Sequence, residues 1–458
     1  MQARPPERGA ALRGSGPRIG GVAHRRGIAV RARGRGAGVN PALRAALEAD
    51  LASRAFAAPP DVSLTPRRVG AEVELIPLEE ATGRRCPLEP SATGATPTLP
   101  FLRRYGSRQG WREVTTAKGT PSFQLPAGGT LTFEPGGQLE YSSPACRSPS
   151  VLLALLRSVV PPLRAAAANE GIGLLAAGLD PCNSAEAAPL LLHTTRYTRM
   201  AEYLARIGPA GARMMRQTAA FQVSLDLDDE PSLRWRVLNA AAPHLVAIFA
   251  NSPVYEGAPT GCPSARAEVW RTLDPARTGL PWDGHDPVGH YLDFALRAPA
   301  LLLPEIDGVH RPFGEWLRHA RPTLEEWHEH LSTLFPEVRP RGHLELRSCD
   351  AVPPQWYAAP VALAVGITYD PWALRAAADL LGRPDMDLLH RAGRRGLGDA
   401  HIRRVAADLV DIALAGCGHL GPGYFHPSDL EQARLFFDQY TRRGRSPADD
   451  FKGAEIAA

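Results

Sequence analysis

Leu131-Thr132-Phe133-Glu134-Pro135-Gly136-Gly137-Gln138-Leu139-Glu140-Tyr141-Ser142-Ser143 alternates apolar with polar residues on either side of a Pro-Gly-Gly break. In an extended strand, residues two apart share a face, so each half reads as a strand with one polar side. Proline presets φ and glycine accepts positive φ, so Pro135-Gly136-Gly137 reads as the turn of a hairpin that brings Glu134 near Glu140. The expected consequence is an antiparallel sheet.

Three other segments repeat the pattern: Gly70 to Leu75 (GAEVEL), Phe221 to Asp228 (FQVSLDLD) and His343 to Arg347 (HLELR). Glu72 with Glu74, Gln138 with Glu140, Gln222 with Ser224, and Glu345 with Arg347 each fall on one face. Alternation of this kind also suits the solvated side of an antiparallel sheet. A solvated side, however, usually mixes charges and includes lysine, and these strands carry mainly acids and amides. Carboxylates held together raise one another's pKa unless cations intervene, so a shared acidic face points to a metal-binding cavity.

Of the 458 residues, 44% are hydrophobic and 22% charged, as in a globular protein with a sizeable core. No uninterrupted apolar run approaches the roughly 20 residues of a membrane span, and no membrane partner is expected. The net charge of +4 is uneven: residues 1–44 hold ten arginines and one acid, Glu7, leaving −5 for the remainder. This Arg- and Gly-rich stretch reads as a disordered tail, and residues 45–458 as one catalytic domain. A nucleic-acid-binding protein acting through that tail is the non-enzymatic alternative. The six cysteines are scattered without a C-x-x-C pair, so reduced thiols in a cytoplasm are expected.

Lys118 and Lys452 are the only lysines beside fifty arginines. No phosphate loop with its G-K-[ST] ending is present, and no G-x-G-x-x-G follows a strand. A bound nucleotide would therefore rely on arginine and metal. Helical spacing marks Pro41 to Phe56, Val151 to Glu170 with an interruption at Pro161-Pro162, a helix beginning near Arg196, a stretch through Ala250, Thr323 to Phe335, and a helical layer over about 355–445. Residues 81–130 read as loops with short strands, and Asn251 to Trp270 as a Gly- and Pro-rich loop. Separated strands with helices between them favour an α+β fold with a mainly antiparallel sheet.

Taken in order, Gly-x-Glu-x-Glu (70–74), Glu-Pro-Gly-Gly-Gln-Leu-Glu (134–140), Gln-Thr-x-x-x-Gln-Val-x-Leu-Asp (217–226), Ala-Asn-Ser-Pro (250–253) with Ser264, Arg266 and Trp270, and Leu-Glu-Leu-Arg-x-x-Asp (344–350) resemble the glutamate-cysteine ligases of the plant-type and actinobacterial branch. The blocks at 274–279, 339–342 and 443–450 are most similar to the ergothioneine-pathway enzymes of that branch. The resemblance implies a core like that of glutamine synthetase, with a curved antiparallel sheet whose concave face is the active site and helices behind it.

It further implies that ATP phosphorylates the γ-carboxylate of glutamate and that the amine of cysteine then displaces the phosphate. Charge neutralisation is the physical need, and Mg2+ with carboxylate ligands meets it. On this basis Glu72, Glu74, Glu134, Glu140 and Glu345 are expected metal ligands, with Gln222 as a neutral partner. Arg347, with Glu345 beside it, is expected at the transferring phosphoryl group. Arg266 and Trp270, and the loop residues Arg196, Tyr197 and Met200, are expected to bind substrate. Asn251 is expected to orient its loop. Ser224 and His343 depart from the family pattern and, if they face the cavity, leave the amine acceptor open between cysteine and another amine. A monomer or homodimer acting on glutamate, cysteine and ATP, in a thiol pathway, is the resulting expectation.

Overall fold

The hairpin forms as its turn chemistry requires. Strands β4 (Thr130–Phe133) and β5 (Leu139–Ser142) pair antiparallel, with Phe133 opposite Leu139. In the turn, Glu134 N donates to Gln138 O at 2.8 Å and Gly137 N to Glu134 O at 2.8 Å. Gly137 has φ 82°, a region that disfavours any side chain. A Cβ on Gly136 would stand 2.4 Å from Arg216 O, so glycine lets the turn press against that backbone.

The computed structural model describes residues 39–57, 67–91, 94–227, 230–281 and 286–451. The other strands of the main sheet are β1 (Val69–Glu79), β2 (Arg112–Thr115), β3 (Pro121–Gln124), β6 (Ile172–Leu175), β7 (Ala220–Asp226), β8 (Val338–Pro340) and β9 (His343–Asp350). Their spatial order is β8-β9-β7-β1-β5-β4-β3-β2, with β6 also on β1, and every pairing is antiparallel. All four acidic segments therefore join one sheet. The fold is α+β.

One side of this sheet is apolar because the alternation puts Val73, Leu75, Leu139, Tyr141, Phe221, Val223, Leu225, Leu344 and Leu346 there, all buried in the main core. Helices Pro149–Ala168, Pro231–Ile248 and Ala358–Tyr369 pack against that side. The C-terminal helices Pro371–Leu381, Met386–Arg395, Ala400–Leu420 and Pro427–Gln439 complete the layer expected over 355–445.

Several local expectations are corrected. The helix Pro149–Ala168 continues through Pro161 and Pro162; the proline side is partly exposed, where water can serve the carbonyls deprived of an N–H. This helix has the length and apolarity of a membrane span, although no apolar run suggested one. Its Leu152, Leu153, Leu156 and Leu163 are nonetheless buried in the core, and Arg157 pairs with Asp429 at 2.6 Å. Within 81–130 a helix forms at Thr98–Arg108, burying Leu99, Phe101 and Leu102.

The tail boundary also moves. Pro41–Arg54 is helical from its first turn, capped by Asn40, so 41–44 belong to the folded part; residues 1–38 lie outside the described residues. Asp228, expected to end a strand, lies outside them too, and the strand ends at Asp226. The described residues from 39 onward belong to one compact unit.

Candidate active site

The polar side of the sheet opens into a cavity of about 580 Å3. Register explains which groups meet there. Glu74 lies opposite Glu140, and Glu72 lies between Ser142 and Gln222. Glu134 arrives from the hairpin turn, whose position is fixed from three directions: Arg85 donates to Gly136 O, Gln138 Nε2 to Thr218 O at 2.9 Å, and Leu191 N to Pro135 O at 2.7 Å. Glu72, Glu74, Glu134, Glu140 and Gln222 all line the cavity.

These carboxyls open onto the cavity and are only partly exposed. Desolvation pushes all four above the ordinary 4.5, Glu72 to about 8, and mutual repulsion adds to the rise at each. Glu134 and Glu140 stand close enough for each to perturb the other's carboxyl. Glu74 is further held by Ala220 N at 2.8 Å and Gln222 Nε2 at 2.8 Å. Among the described residues no three such groups close on a single point tightly enough to ligate an ion by themselves. A desolvated acid ring of this kind still fits magnesium, which keeps waters and shares phosphate oxygens instead of sitting in an all-protein cage.

Glu345 departs from its expected role as a metal ligand. It is fully buried and receives three guanidinium groups: Arg339 at 2.6 and 3.0 Å, Arg341 at 3.1 Å and Arg347 at 3.0 Å. Despite the cost of burial, these cations hold its carboxyl far below the usual range. Its oxygens are thus engaged, and it serves to aim arginines. Arg347 also donates to Gln222 Oε1 at 2.7 Å, and Arg339, Arg341 and Arg347 line the cavity on the β8–β9 side of the sheet, next to the acids.

Arg196, Tyr197 and Met200, expected in a substrate loop, lie instead in the first turns of a helix. Thr194 caps the helix Thr195–Ile207, and Arg196, Tyr197 and Met200 line the cavity. Arg196 is held by Ser332, donating to its carbonyl at 2.7 Å. Trp270 lies in the helix Ala265–Leu273, not in a loop, and its ring stands 5.9 Å from both Arg266 and Arg347.

Arg266 is corrected. It does not line the main cavity; it lies behind Trp270, donating to Arg347 O at 2.9 Å and standing 3.7 Å from Asp350. Asp350 is a buried hub that accepts from Asn251 N at 2.8 Å, Ser252 Oγ at 2.7 Å and Ser264 Oγ at 2.9 Å. The Ala-Asn-Ser-Pro, Ser264, Arg266 and Asp350 elements thus join β9 to the helix bearing Trp270, and Asn251 orients its loop as expected. Ser224 and His343 do not line the cavity, which removes them as reasons to doubt the amine acceptor.

Sequence reasoning missed Arg339 and Arg341, the single described lysine Lys118, and Met214 and Met215, all of which line the cavity. Lys118 sits in the turn joining β2 and β3, between Thr116 and Gly119, within electrostatic reach of Glu134, Glu329 and Arg196. Its ammonium has no hydrogen-bond or ion-pair partner among the described residues. Replacing Lys118 by Met is expected to raise KM for ATP by about tenfold with little change in kcat, as loss of one uniformly used charge contact would. Steady-state kinetics with varied ATP checks this.

Comparison with known proteins agrees with the geometry. The family model described as Glutamate-cysteine ligase family 2 matches residues 68–455. The chain is 36% identical over 349 residues to glutamate-cysteine ligase EgtA of Mycolicibacterium smegmatis, covering 73% of this chain and 79% of that one. It is 33% identical over 422 residues to EgtA of Mycobacterium tuberculosis, covering 88% and 93%. With the chloroplastic glutamate-cysteine ligase of Arabidopsis thaliana it shares 32% over 344 residues, 70% of this chain and 65% of that one. A solved glutamate-cysteine ligase of Francisella tularensis in complex with AMP superimposes over 84% of each chain at 12% identity, with a TM-score of 0.48. An acid ring on an antiparallel sheet, flanked by arginines and spanned end to end by the family match, leads to one conclusion: the chain belongs to glutamate-cysteine ligase family 2.

Proposed function

We propose that this protein uses ATP to join the γ-carboxyl of glutamate to the amine of cysteine, giving γ-glutamylcysteine for ergothioneine or glutathione synthesis. A γ-carboxylate oxygen attacks the terminal phosphorus of ATP, ADP leaves, and a γ-glutamyl phosphate forms. The cysteine nitrogen then attacks the acyl carbon; a C–N bond forms, the C–O bond to phosphate breaks, and the amine proton is lost to water. A free amine needs little base assistance against so good a leaving group, and no cavity residue is required in that role.

The observation that carries this reading is that an acid ring (Glu72, Glu74, Glu134, Glu140) and an arginine bank (Arg339, Arg341, Arg347) line one cavity. Those four acids would hold magnesium, which supplies charge neutralisation to phosphoryl transfer when bound. Arg347 and Arg339, aimed by Glu345, stabilise charge on the phosphoryl oxygens. Gln138 Oε1 is buried without a donor among the described residues and lies in the cavity wall, an acceptor for a substrate ammonium. Met200, Met214, Met215 and Phe335 form an apolar, polarisable part of the lining that suits a short thiol side chain.

The test is ADP release from the full chain. Release is expected only with glutamate, Mg2+ and an amine together, and faster with cysteine than with serine or alanine. ADP formation independent of glutamate would refute the ligase reading, and equal rates with all three amines would refute cysteine as the acceptor.

A further inference from the structure

A second cavity, of about 440 Å3, lies on the far side of two helices that wall the first. On Ala210–Gln217, Met214 and Met215 face the catalytic cavity whereas Ala210 and Arg213 face the second. On Ala265–Leu273, Trp270 faces the former whereas Glu268 and Val269 face the latter. The catalytic reading uses none of these second-cavity residues.

Its walls are largely apolar, with Leu179, Pro209 and Val269 beside Ile207, which is 45% exposed. Against that surface stands one unmatched cation. Arg213 stacks on Tyr255, its guanidinium carbon 4.1 Å from the ring centroid, and makes no ion pair among the described residues. Arg213 Nε is buried with no acceptor. Glu186 lies within electrostatic reach but is exposed and forms no bond to it. On the opposite helix, Glu268 Oε2 accepts from Arg394 at 2.8 Å while Oε1 is buried without a donor.

The buried Nε of Arg213 has no acceptor, so an anion that meets this partly exposed guanidinium would satisfy it, and aromatic stacking fixes its plane for a carboxylate. One cation calls for one negative charge, which disfavours a polyphosphate. The volume is that of a small-molecule site, about 300–1,000 Å3. We propose that this cavity binds a small amphipathic carboxylate of amino-acid or dipeptide size, with its carboxylate on Arg213 and its aliphatic part against Ile207 and Val269.

Calorimetric titration of the full chain with leucine and leucyl-leucine, and with leucinamide as the carboxylate-free control, tests this without reference to catalysis. At least one of the two carboxylates is expected to bind. Leucinamide and the Arg213→Met variant should each bind about tenfold more weakly, the loss of one charge-assisted contact. Arg213→Lys, which keeps the charge without the stacked fork, should fall between, and Arg347→Ala in the catalytic cavity should bind as the wild type does. The proposal is overturned if neither carboxylate binds, if Arg213→Met binds as the wild type does, or if binding disappears in Arg347→Ala instead.

Discussion

Replacing Arg347 by alanine is expected to lower kcat for ADP release by roughly 10³-fold, the scale on which a positioned cation stabilises phosphoryl transfer. The substitution isolates the arginine well. Glu345 is not orphaned, because Arg339 and Arg341 continue to occupy both of its oxygens. Gln222 loses an N–H donor, but its own Nε2 still donates to Glu74. The sheet has no reason to unfold, so thermal unfolding should shift by only a few degrees while turnover collapses. Arg347→Lys keeps the charge without the fork and should recover part of the loss. Single-turnover measurement under saturating substrates separates chemistry from binding; kcat within threefold of the wild type would remove Arg347 from the reacting centre.

What was legible in the sequence follows from the range of each signal. Period-two alternation and Pro135-Gly136-Gly137 are local, and they located β1, the β4–β5 hairpin, β7 and β9 together with the polar side of each. The identity of partners across the sheet is not local. Glu345 alternates like Glu72 and Glu74, yet its strand lies next to β8, whose Arg339 stands directly opposite it and claims its oxygens. The short Arg339-Pro340-Arg341-Gly342-His343 turn was visible, and pairing outward from Gly342 (φ 74°) would have set Arg339 against Glu345. Arg266 failed for a related reason: adjacency to Trp270 on a helix says nothing about Asp350, 84 positions further along. Lys118 had a compositional signal, one of two lysines among fifty arginines, but only the β2–β3 pairing places its turn over the acids. Helix Thr98–Arg108 was hidden by Pro100 and Gly106, and its burial of Leu99, Phe101 and Leu102 outweighs that weak propensity.

Replacing Glu140 by Gln is expected to weaken the response to Mg2+ while making the metal-free protein more stable at pH 8. Glu140 accepts from Ser142 Oγ at 2.9 Å and stands beside Glu134, whose carboxyl it pushes up. Glutamine keeps the acceptor toward Ser142 and offers an N–H to Glu134, so the neutral form of this carboxyl is mimicked permanently. In the wild type burial raises all four ring carboxyls above the ordinary 4.5, Glu72 to about 8. Between those values the folded chain binds more protons than the unfolded one, so stability falls as pH rises through that window. Glu345 has the opposite sign, but its contribution is fully present above 4.5 and lost only below it. Metal-free wild type should thus melt lower at pH 8 than at pH 6, and Mg2+ should restore stability more at pH 8, releasing protons as it binds. At a hundredfold excess over Kd that restoration is about 2.7 kcal/mol. In Glu140→Gln the metal-free melting point at pH 8 should rise, by an amount on the order of 1 kcal/mol, as at other functional sites relieved of repulsion. The increment from Mg2+ should shrink, and turnover should drop at least about a hundredfold. Calorimetric melting at the two pH values, with and without Mg2+, decides the matter: a variant that gains as much from Mg2+ as the wild type would show that the ring does not hold the ion.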